Sequence, residues 1–266
     1  MRMLLLVLLG VTFGWGSAGA IEPDQLTRIH LEAIGGGERL AKLTTLRARG
    51  YVRIENRYLQ FTLLAERPNR VRMETHTLDH VIVQATDGVN PPWQMDPRDE
   101  PPQSRLITGV EAREFAADAE FDDPLVNSAE KGYTLDFAGE TAWAGRPAIR
   151  LLVTRRLVDS FYLFIDPETF FIVGKQAVRR LDYGREIKME TFYRDFRPVA
   201  GVIMPHRILV HADGKFLHET VIQKVEPNVP LPAGSFTRPH LPPVPTKRPP
   251  GSGGLQADEM PARVSD

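Results

Sequence analysis

The sequence predicts a mainly β fold with a few helices, an α+β chain whose antiparallel strands form one sandwich or barrel. Segments rich in Val, Ile, Leu, Tyr and Phe recur between residues 46 and 225, and turn pairs such as Pro68-Asn69 and Asp213-Gly214 separate them. A spacing of about 8–12 residues between such segments is typical of a single antiparallel sandwich or barrel. The predicted strands lie near residues 46–56, 58–67, 70–76, 79–86, 131–138, 147–156, 160–166, 170–181, 185–197, 202–212 and 215–225.

The first twenty residues have the three parts of a secretory signal peptide. Residues 1–3 (MRM) give a basic start, residues 4–15 are apolar, and residues 17–20 (SAGA) end in small side chains. We expect cleavage after Ala20, so residues 1–20 are predicted to be a signal peptide and the mature chain to be exported. The alternative is an uncleaved anchor, but a spanning helix needs about 20 apolar residues and glycines and a serine interrupt this segment.

Composition limits the compartment and the partners. The 266 residues include no cysteine, which excludes disulfides, thiol catalysis and the lipidated cysteine of a bacterial lipoprotein. The chain has 33 Lys and Arg against 34 Asp and Glu, a balance that argues against a nucleic-acid partner. No later apolar stretch is long enough to span a bilayer, so we expect a soluble periplasmic protein with no integral membrane segment after cleavage.

Two helices and one irregular loop are predicted among the strands. The first helix runs from Pro23 to Ile34 with Leu26 and His30 on its apolar face, and the glycines at 35–37 end it. The second covers Gly109 to Ala119 and ends before an acidic segment. Between the two strand groups, residues 89–103 are predicted to form an irregular loop because proline cannot donate a ladder hydrogen bond; its prolines are Pro91, Pro92, Pro97, Pro101 and Pro102.

Several strands carry large apolar side chains on both faces. Residues 184–194 nearly alternate between apolar and charged, as expected when one sheet face meets water. By contrast, residues 59–64, 161–165 and 170–173 carry large apolar side chains on both faces, so both faces must be covered. An internal core packed under the helices would cover them, and so would a ligand in an apolar cavity.

The motifs of common enzymes and metal sites are absent. The chain has no Gly-x-Ser-x-Gly elbow, no His-Glu-x-x-His and no phosphate-binding glycine loop after a strand. His206 and His211 are an odd number of residues apart on one strand and would face opposite sides. The acidic residues at 118–123 lack the alternating spacing of a calcium loop. We therefore expect no enzyme, no metal and no cofactor.

Three stretches of the chain together resemble a known superfamily. Residues 31–50 read LEAIGGGERLAKLTTLRARG, residues 162–169 read YLFIDPET, and residues 193–206 read YRDFRPVAGVIMPH. In this order they resemble the first helix and strand, the central strand and turn, and the Gly-Val-x-x-Pro restart of the LolA/LolB/RseB-like periplasmic proteins, the outer-membrane lipoprotein-sorting proteins. The resemblance spans most of residues 22–237.

The resemblance implies a strongly curved antiparallel sheet forming an incomplete barrel, whose concave apolar face is capped by helices and a loop. It divides the chain into the signal peptide, a single half-barrel domain at residues 21–227 and a Pro/Gly-rich tail at 228–266, which its composition predicts to be disordered. It implies a non-enzymatic periplasmic carrier of lipid or lipoprotein acyl chains, moving cargo toward the outer membrane between an inner-membrane exporter and an outer-membrane acceptor. An envelope-stress or protein-interaction module on the same fold is the alternative, and the tail would suit docking to a partner.

The doubly apolar strands and the central loop and helix supply the candidate ligand-binding residues. Which strand face points inward is open, because a shift of one residue exchanges the two faces. The candidate wall residues are Leu59, Phe61, Leu63, Phe161, Leu163, Ile165, Val173, Ile187 and Met189. The candidate lid residues are Trp93, Met95, Val110 and Phe115.

Overall fold

The computed structural model describes residues 21–99, 104–155, 159–181 and 184–239. The predicted signal peptide and residues 240–266 of the predicted tail lie outside this range. The helices are α1 Pro23–Ala33, α2 Gly37–Lys42 and α3 Gly109–Asp118. The strands are β1 Thr45–Ile54, β2 Arg57–Glu66, β3 Arg70–His76, β4 Val81–Thr86, β5 Trp93–Met95, β6 Ser104–Leu106, β7 Tyr133–Trp143, β8 Arg146–Arg155, β9 Asp159–Ile165, β10 Ile172–Arg180, β11 Glu186–Val199, β12 Val202–Ala212 and β13 Lys215–Pro227.

The described strands form one antiparallel sheet of 13 strands. Its order is β6-β5-β4-β3-β2-β1-β13-β12-β11-β10-β9-β8-β7, so sequential strands pair throughout and β1 pairs with β13 to join the two halves. The first strand of this order, β6, does not pair with the last, β7, and the sheet is not closed into a barrel. The prediction of a mainly β fold with a curved, incompletely closed antiparallel sheet is confirmed.

Each predicted strand has a counterpart in the sheet, and two short strands are additional. β5 lies inside the Pro-rich stretch and β6 directly after it. β5 fits between Pro92 and Pro97, and the Pro92 carbonyl accepts a hydrogen bond from the Ile107 amide at 2.8 Å. Prolines at the ends of a three-residue strand leave its interior donors free to pair, which is why the stretch is not wholly irregular.

The main core lies between α1 and one face of β8 and β9, which we call the inner face. Leu26 of α1 and Leu125 pack there and are fully buried. Their partners include Leu151, Val153, Phe161, Leu163 and Ile165. Because side chains alternate along a strand, the other face of β9, the outer face, carries Tyr162 and Phe164.

A second cluster joins the helices to one end of the sheet, which we call the helical end. Ile34, Leu40 and Leu43 pack with Val202 at the β11–β12 turn. The Ile203 amide donates to the Ile34 carbonyl at 2.8 Å. A Cβ on Gly35 would lie 2.3 Å from the Gly201 carbonyl oxygen, so a glycine is needed where the end of α1 meets this turn.

Part of the outer face of β7–β11 is covered by aromatic side chains around Trp143. The indole of Trp143 stacks on Phe164 with ring centroids 3.8 Å apart and on Phe192 at 4.8 Å. It lies across Gly174, where an added Cβ would be 2.1 Å from the indole nitrogen. The missing side chain at Gly174 therefore makes room for the stack. The stacked rings bury Phe164 on the outer face of β9, where no helix packs in the described structure.

Residues 229–239, which we call the strap, cover the outer face of β3–β6. The indole N–H of Trp93 donates to the Phe236 carbonyl at 2.9 Å, and the Phe236 side chain is buried. Arg72 donates to the Ser235 carbonyl at 3.2 Å, and Ser104 donates to the Pro239 carbonyl at 3.1 Å. The predicted disordered tail begins at residue 228, so its first part differs from that prediction: a buried aromatic and several hydrogen bonds hold it on the sheet.

Candidate functional site

A cavity of about 230 Å³ lies between the inner face of β9–β11, the end of α1 and the segment that follows α3. Its apolar wall is formed by Ile34, Phe161, Leu163, Phe171, Ile172, Phe196 and Ile203. Its polar wall is formed by His30, Asp118, Glu120, Asp122, Asp123, Arg155, Lys175 and Tyr193. The cavity is therefore amphipathic, with an apolar floor on the strands and charged groups toward α3.

His30 and Asp123 form the most buried polar contact of the cavity. The His30 ring is 2% exposed and lies with Nδ1 2.7 Å from the Phe170 carbonyl oxygen and Nε2 3.1 Å from Asp123 Oδ2. Both neighbours are acceptors, so both ring nitrogens must carry a proton to satisfy them. The geometry thus favours an imidazolium–carboxylate pair that joins α1, the β9–β10 turn and the segment after α3.

The titration of this pair follows from the same contacts. Burial lowers the pKa of His30, but the charge and hydrogen bond of Asp123, with the Phe170 carbonyl, outweigh it and leave the pKa above 6.5. Burial raises the pKa of Asp123, but His30, the Leu125 amide and Lys131 outweigh it and leave the pKa below 3.8. Burial also raises the pKa of Tyr193, with a further effect of Asp118 and Asp123.

Two cations lie over the ring of Phe161 at the edge of the cavity. The Arg155 guanidinium is 5.2 Å and the Lys175 ammonium 4.9 Å from the ring centroid. Arg155 is also paired through two nitrogens with Asp159, at 2.6 and 2.5 Å. Phe161 therefore presents an apolar surface to the cavity while its ring is held between cationic groups, a favourable arrangement for an aromatic ring.

The helix α3 lies over the cavity and makes ionic contacts with β10. None of its ten residues is buried. It is attached to β10 by the ion pair of Glu114 with Arg179 and by Asp118 Oδ1, which lies 3.8 Å from Lys175 Nζ. Ion pairs of half-exposed groups contribute about 0–1 kcal/mol each, so α3 is the weakest of the cavity's walls.

Beyond the cavity the inner face continues as an apolar surface across the other half of the sheet. The strand register shows that this surface is on the same face as Tyr193. Tyr193 pairs with Ile208 of β12, Ile208 with Thr220 of β13, and Thr220 with Val52 of β1. These apolar side chains are half-buried, neither packed in a core cluster nor fully exposed. They are Val52, Leu59, Leu63, Met73, Ile82, Ile187, Met189, Ile208 and Val210.

Eight of the predicted wall residues lie on the inner face. Phe161 and Leu163 line the cavity, while Ile165 is fully buried beneath α1 in the main core. The other five belong to the open part of the inner face: Leu59, Phe61, Leu63, Ile187 and Met189. Phe61 is 3% exposed, and its neighbours Leu59 and Leu63 are half-buried.

The remaining predicted residues lie elsewhere. Val173 packs with the Trp143 cluster on the outer face, because the register between β9 and β10 shifts at residues 172–174 and turns Ile172 inward instead. Trp93 and Met95 belong to β5 and pack with Val83 on the outer face under the strap. Of the predicted lid residues, Val110 and Phe115 are the two on α3, and both are half-buried.

The polar residues of the cavity were not predicted as site residues. His30 gave the clearest signal, since it lies among apolar residues on one face of the predicted first helix. The spacing of the acidic residues 118–123 argued only against a calcium loop, and in the fold each of Glu120, Asp122 and Asp123 has a cationic partner. Lys175 gave no signal, because the register shift beside it is invisible in the sequence.

Among the described residues, no group of three or more His, Asp or Glu side chains is arranged to hold a metal ion. The described helices also include none that is long and apolar enough to cross a membrane. The pairs near the cavity are carboxylates bound to cations, an arrangement that fixes structure and charge.

Comparison with known proteins identifies relatives by structure alone. No protein-family model and no curated protein matches the sequence. A DUF1329 family protein from Desulfovibrio piger ATCC 29098 is similar with a TM-score of 0.56 and 10% identity, over 81% of this chain and 97% of that chain. A protein domain from Vibrio parahaemolyticus, designated an outer membrane lipoprotein-sorting protein, has a TM-score of 0.55 and 10% identity over the same shares.

The third similar structure is the LolA superfamily protein NE2245 from Nitrosomonas europaea. Its TM-score is 0.53 at 13% identity, and the match covers 81% of this chain and 97% of that chain. Sequence identities this low support a shared fold only. The ligand and the partners of this chain have to be inferred from its own residues. The chain has a LolA-like fold.

Proposed function

We propose that this chain is a non-enzymatic periplasmic carrier that binds lipid, or the acyl chains of lipoproteins, on its inner face for transport toward the outer membrane. The mature form would begin at Ile21, after removal of the predicted signal peptide. The LolA-like fold supports the proposal, since two similar structures are named for lipoprotein sorting or for LolA.

The half-buried apolar surface of the inner face carries this proposal. The inner face of β2 carries Leu59, Phe61 and Leu63. The strap covers the outer side of β3–β6, whereas α1 packs only on the inner side of the other half of the sheet. A surface of this kind is rarely left to water in a soluble protein. Burying an acyl chain contributes about 0.8 kcal/mol per CH₂, so even a short part of a chain would bind.

The helix α3 suits a cover that opens for cargo. It lies over the cavity without a buried side chain, and two ion pairs hold it to β10. Local opening requires a segment with few buried apolar contacts, and α3 meets this condition. Delivery would then involve contact with an inner-membrane exporter and an outer-membrane acceptor.

Native mass spectrometry of the mature protein, purified from a periplasmic fraction without detergent, tests the proposal. We expect a stoichiometric lipid, and we expect the empty protein to take up the neutral fluorophore 1-N-phenylnaphthylamine. Leu63→Gln should weaken uptake, because Leu63 is a half-buried residue of the inner face. The matched control is Val178→Gln, on the outer face and 51% exposed.

A protein that carries no lipid and takes up no fluorophore would refute the carrier proposal. The inner face would then be the surface of a protein-interaction module, the alternative function for this fold. Equal weakening by Leu63→Gln and Val178→Gln would place fluorophore binding outside the inner face.

A further inference from the structure

A second, wider groove adjoins the cavity. Its volume is about 570 Å³, and it lies between α3 and the ends of β7 and β8 that are remote from α1 and α2. Ala117, Glu120 and Arg155 line both the groove and the cavity. The two spaces are therefore adjacent, and these three residues form the boundary that an elongated molecule in both would have to pass.

The groove is cationic where the cavity is apolar. Its charged lining consists of Arg113, Lys131 and Arg155 against the single carboxylate of Glu120. Glu120 is itself engaged by Lys131, with Nζ 3.4 Å from Oε2, and by the hydroxyl of Tyr133. Arg113 is exposed on α3 and has no hydrogen bond or ion pair with any residue in the described ranges.

The carboxylates between the two spaces are neutralised by the protein. Asp122 pairs with Arg67, and Asp123 pairs with His30. Burial, followed by the hydrogen bond to Glu120, raises the pKa of Tyr133 to about 12, so its hydroxyl stays a donor to that carboxylate. A ligand that enters from the groove thus meets the cations Arg113 and Arg155 without an unpaired carboxylate between them.

We infer that the cargo is an amphiphile with an anionic head, a carboxylate or a phosphate, whose head lies in the groove and whose apolar tail reaches the cavity. Arg113 attracts the head, Arg155, which is paired with Asp159, borders the head site, and the tail lies against Phe161, Leu163 and Ile172. This inference rests on the proposed function and specifies its ligand class. Guanidinium groups suit it because they present fixed donors to both carboxylate and phosphate.

Competition against bound 1-N-phenylnaphthylamine separates the head from the tail. Oleate, oleyl phosphate and oleyl alcohol share one tail, so differences in their displacement report the head alone. We expect at least one of the two anionic forms to displace the fluorophore at a concentration about fivefold or more below that of the alcohol, the gain of an exposed ion pair. Preference for oleate or for oleyl phosphate tells which source supplies the head.

Arg113→Glu provides the matching variant, because Arg113 is exposed and unpaired among the described residues. It should remove most of the preference for the anionic forms and leave oleyl alcohol unchanged. Arg28→Glu, an exposed cation on α1 outside both spaces, is the control and should change neither.

The outcomes distinguish the inference from the proposed function. If all three competitors displace the fluorophore equally, or if Arg113→Glu and Arg28→Glu act alike, the anionic-head inference is wrong and the carrier proposal stands. If none of them binds and the fluorophore itself is not taken up, both fail together.

Discussion

At the scale of single residues, the buried His30 and its partner Asp123 show how one ion pair can join separate parts of the chain. His30 contacts two acceptors, and its partners come from different parts of the chain. Removing one member of such a pair leaves the other charge buried without compensation. Breaking the pair is therefore costly, even when desolvation leaves the intact pair with a small net contribution to the free energy of unfolding.

The pair predicts a pH dependence of stability. The pKa of His30 is raised above 6.5, so its stabilising contribution is complete below about pH 6.5 and is lost as the pH rises through the raised pKa. The pKa of Asp123 is lowered from 3.8, so its contribution is present above about pH 4 and is lost as the pH falls through the lowered pKa. Both contributions act together between about pH 4 and 6.5.

We therefore expect His30→Gln to reduce the free energy of unfolding by about 3 kcal/mol at about pH 5.5 and by less at about pH 9. Urea unfolding followed by tryptophan fluorescence measures both values. His218→Gln is the control, because burial lowers the pKa of His218 and its neutral form is the stable one. If the loss of unfolding free energy caused by His30→Gln stays constant or grows as the pH rises, the ion pair is contradicted.

The apolar pattern of the sequence located the strands. It could not predict on which face of the sheet a side chain lies where the strand register is irregular. The alternation in residues 161–165 correctly grouped Phe161, Leu163 and Ile165 on one face. The same reasoning placed Val173 with them, but the shift at residues 172–174 moves it to the Trp143 cluster. A single register irregularity exchanges faces, and nothing in the local composition marks it.

At the scale of elements, the strap is ordered on the sheet although its amino-acid composition predicts disorder. Residues 228–239 are rich in proline and were grouped with a disordered tail, yet Phe236 is 7% exposed and its carbonyl accepts the Trp93 indole N–H. The burial of the single aromatic Phe236 on the outer face holds the strap in place, although the residues around it are mostly not apolar. Long-range contacts of this kind join residues more than a hundred positions apart, and single-sequence patterns do not reveal them.

Two truncations test the strap. Deleting residues 240–266 removes no described contact, and we expect the Tm to be unchanged. Deleting residues 228–266 uncovers Trp93, and the lost burial of Phe236 plus an orphaned indole N–H should cost about 3 kcal/mol or more. Thermal unfolding measures both.

A point variant separates the strap from chain length. Phe236→Ala should lower stability by about 3 kcal/mol, whereas Phe216→Ala, at a side chain that is 37% exposed, should change it far less. Equal stability of the two truncated forms would show that the strap contributes nothing to the fold.

At the scale of the whole molecule, the two ends of the sheet differ. The helical end has α1, α2 and their apolar cluster. The opposite end has the β1–β2, β3–β4 and β12–β13 turns, and four of the seven exposed large apolar residues of the described chain lie there: Tyr58, Leu78, Phe216 and Leu217. The groove is lined by the ends of β7 and β8 on the same side of the sheet, so under the carrier proposal cargo and a lipid surface would meet there.

Under the carrier proposal, this asymmetry predicts which end of the sheet delivers cargo. Leu78 is fully exposed at the tip of the β3–β4 turn, and Leu217 is 41% exposed at the start of β13. Replacing both with serine removes apolar groups that would be buried on contact with a membrane, each worth about 1.5–3 kcal/mol when fully buried. We expect transfer of a fluorescent lipid between donor and acceptor vesicles to slow by about tenfold, with uptake of 1-N-phenylnaphthylamine unchanged. Val89→Ser is the control, since Val89 is 87% exposed at the helical end. If it slows transfer as much as the double variant does, the end opposite the helices has no special part in delivery.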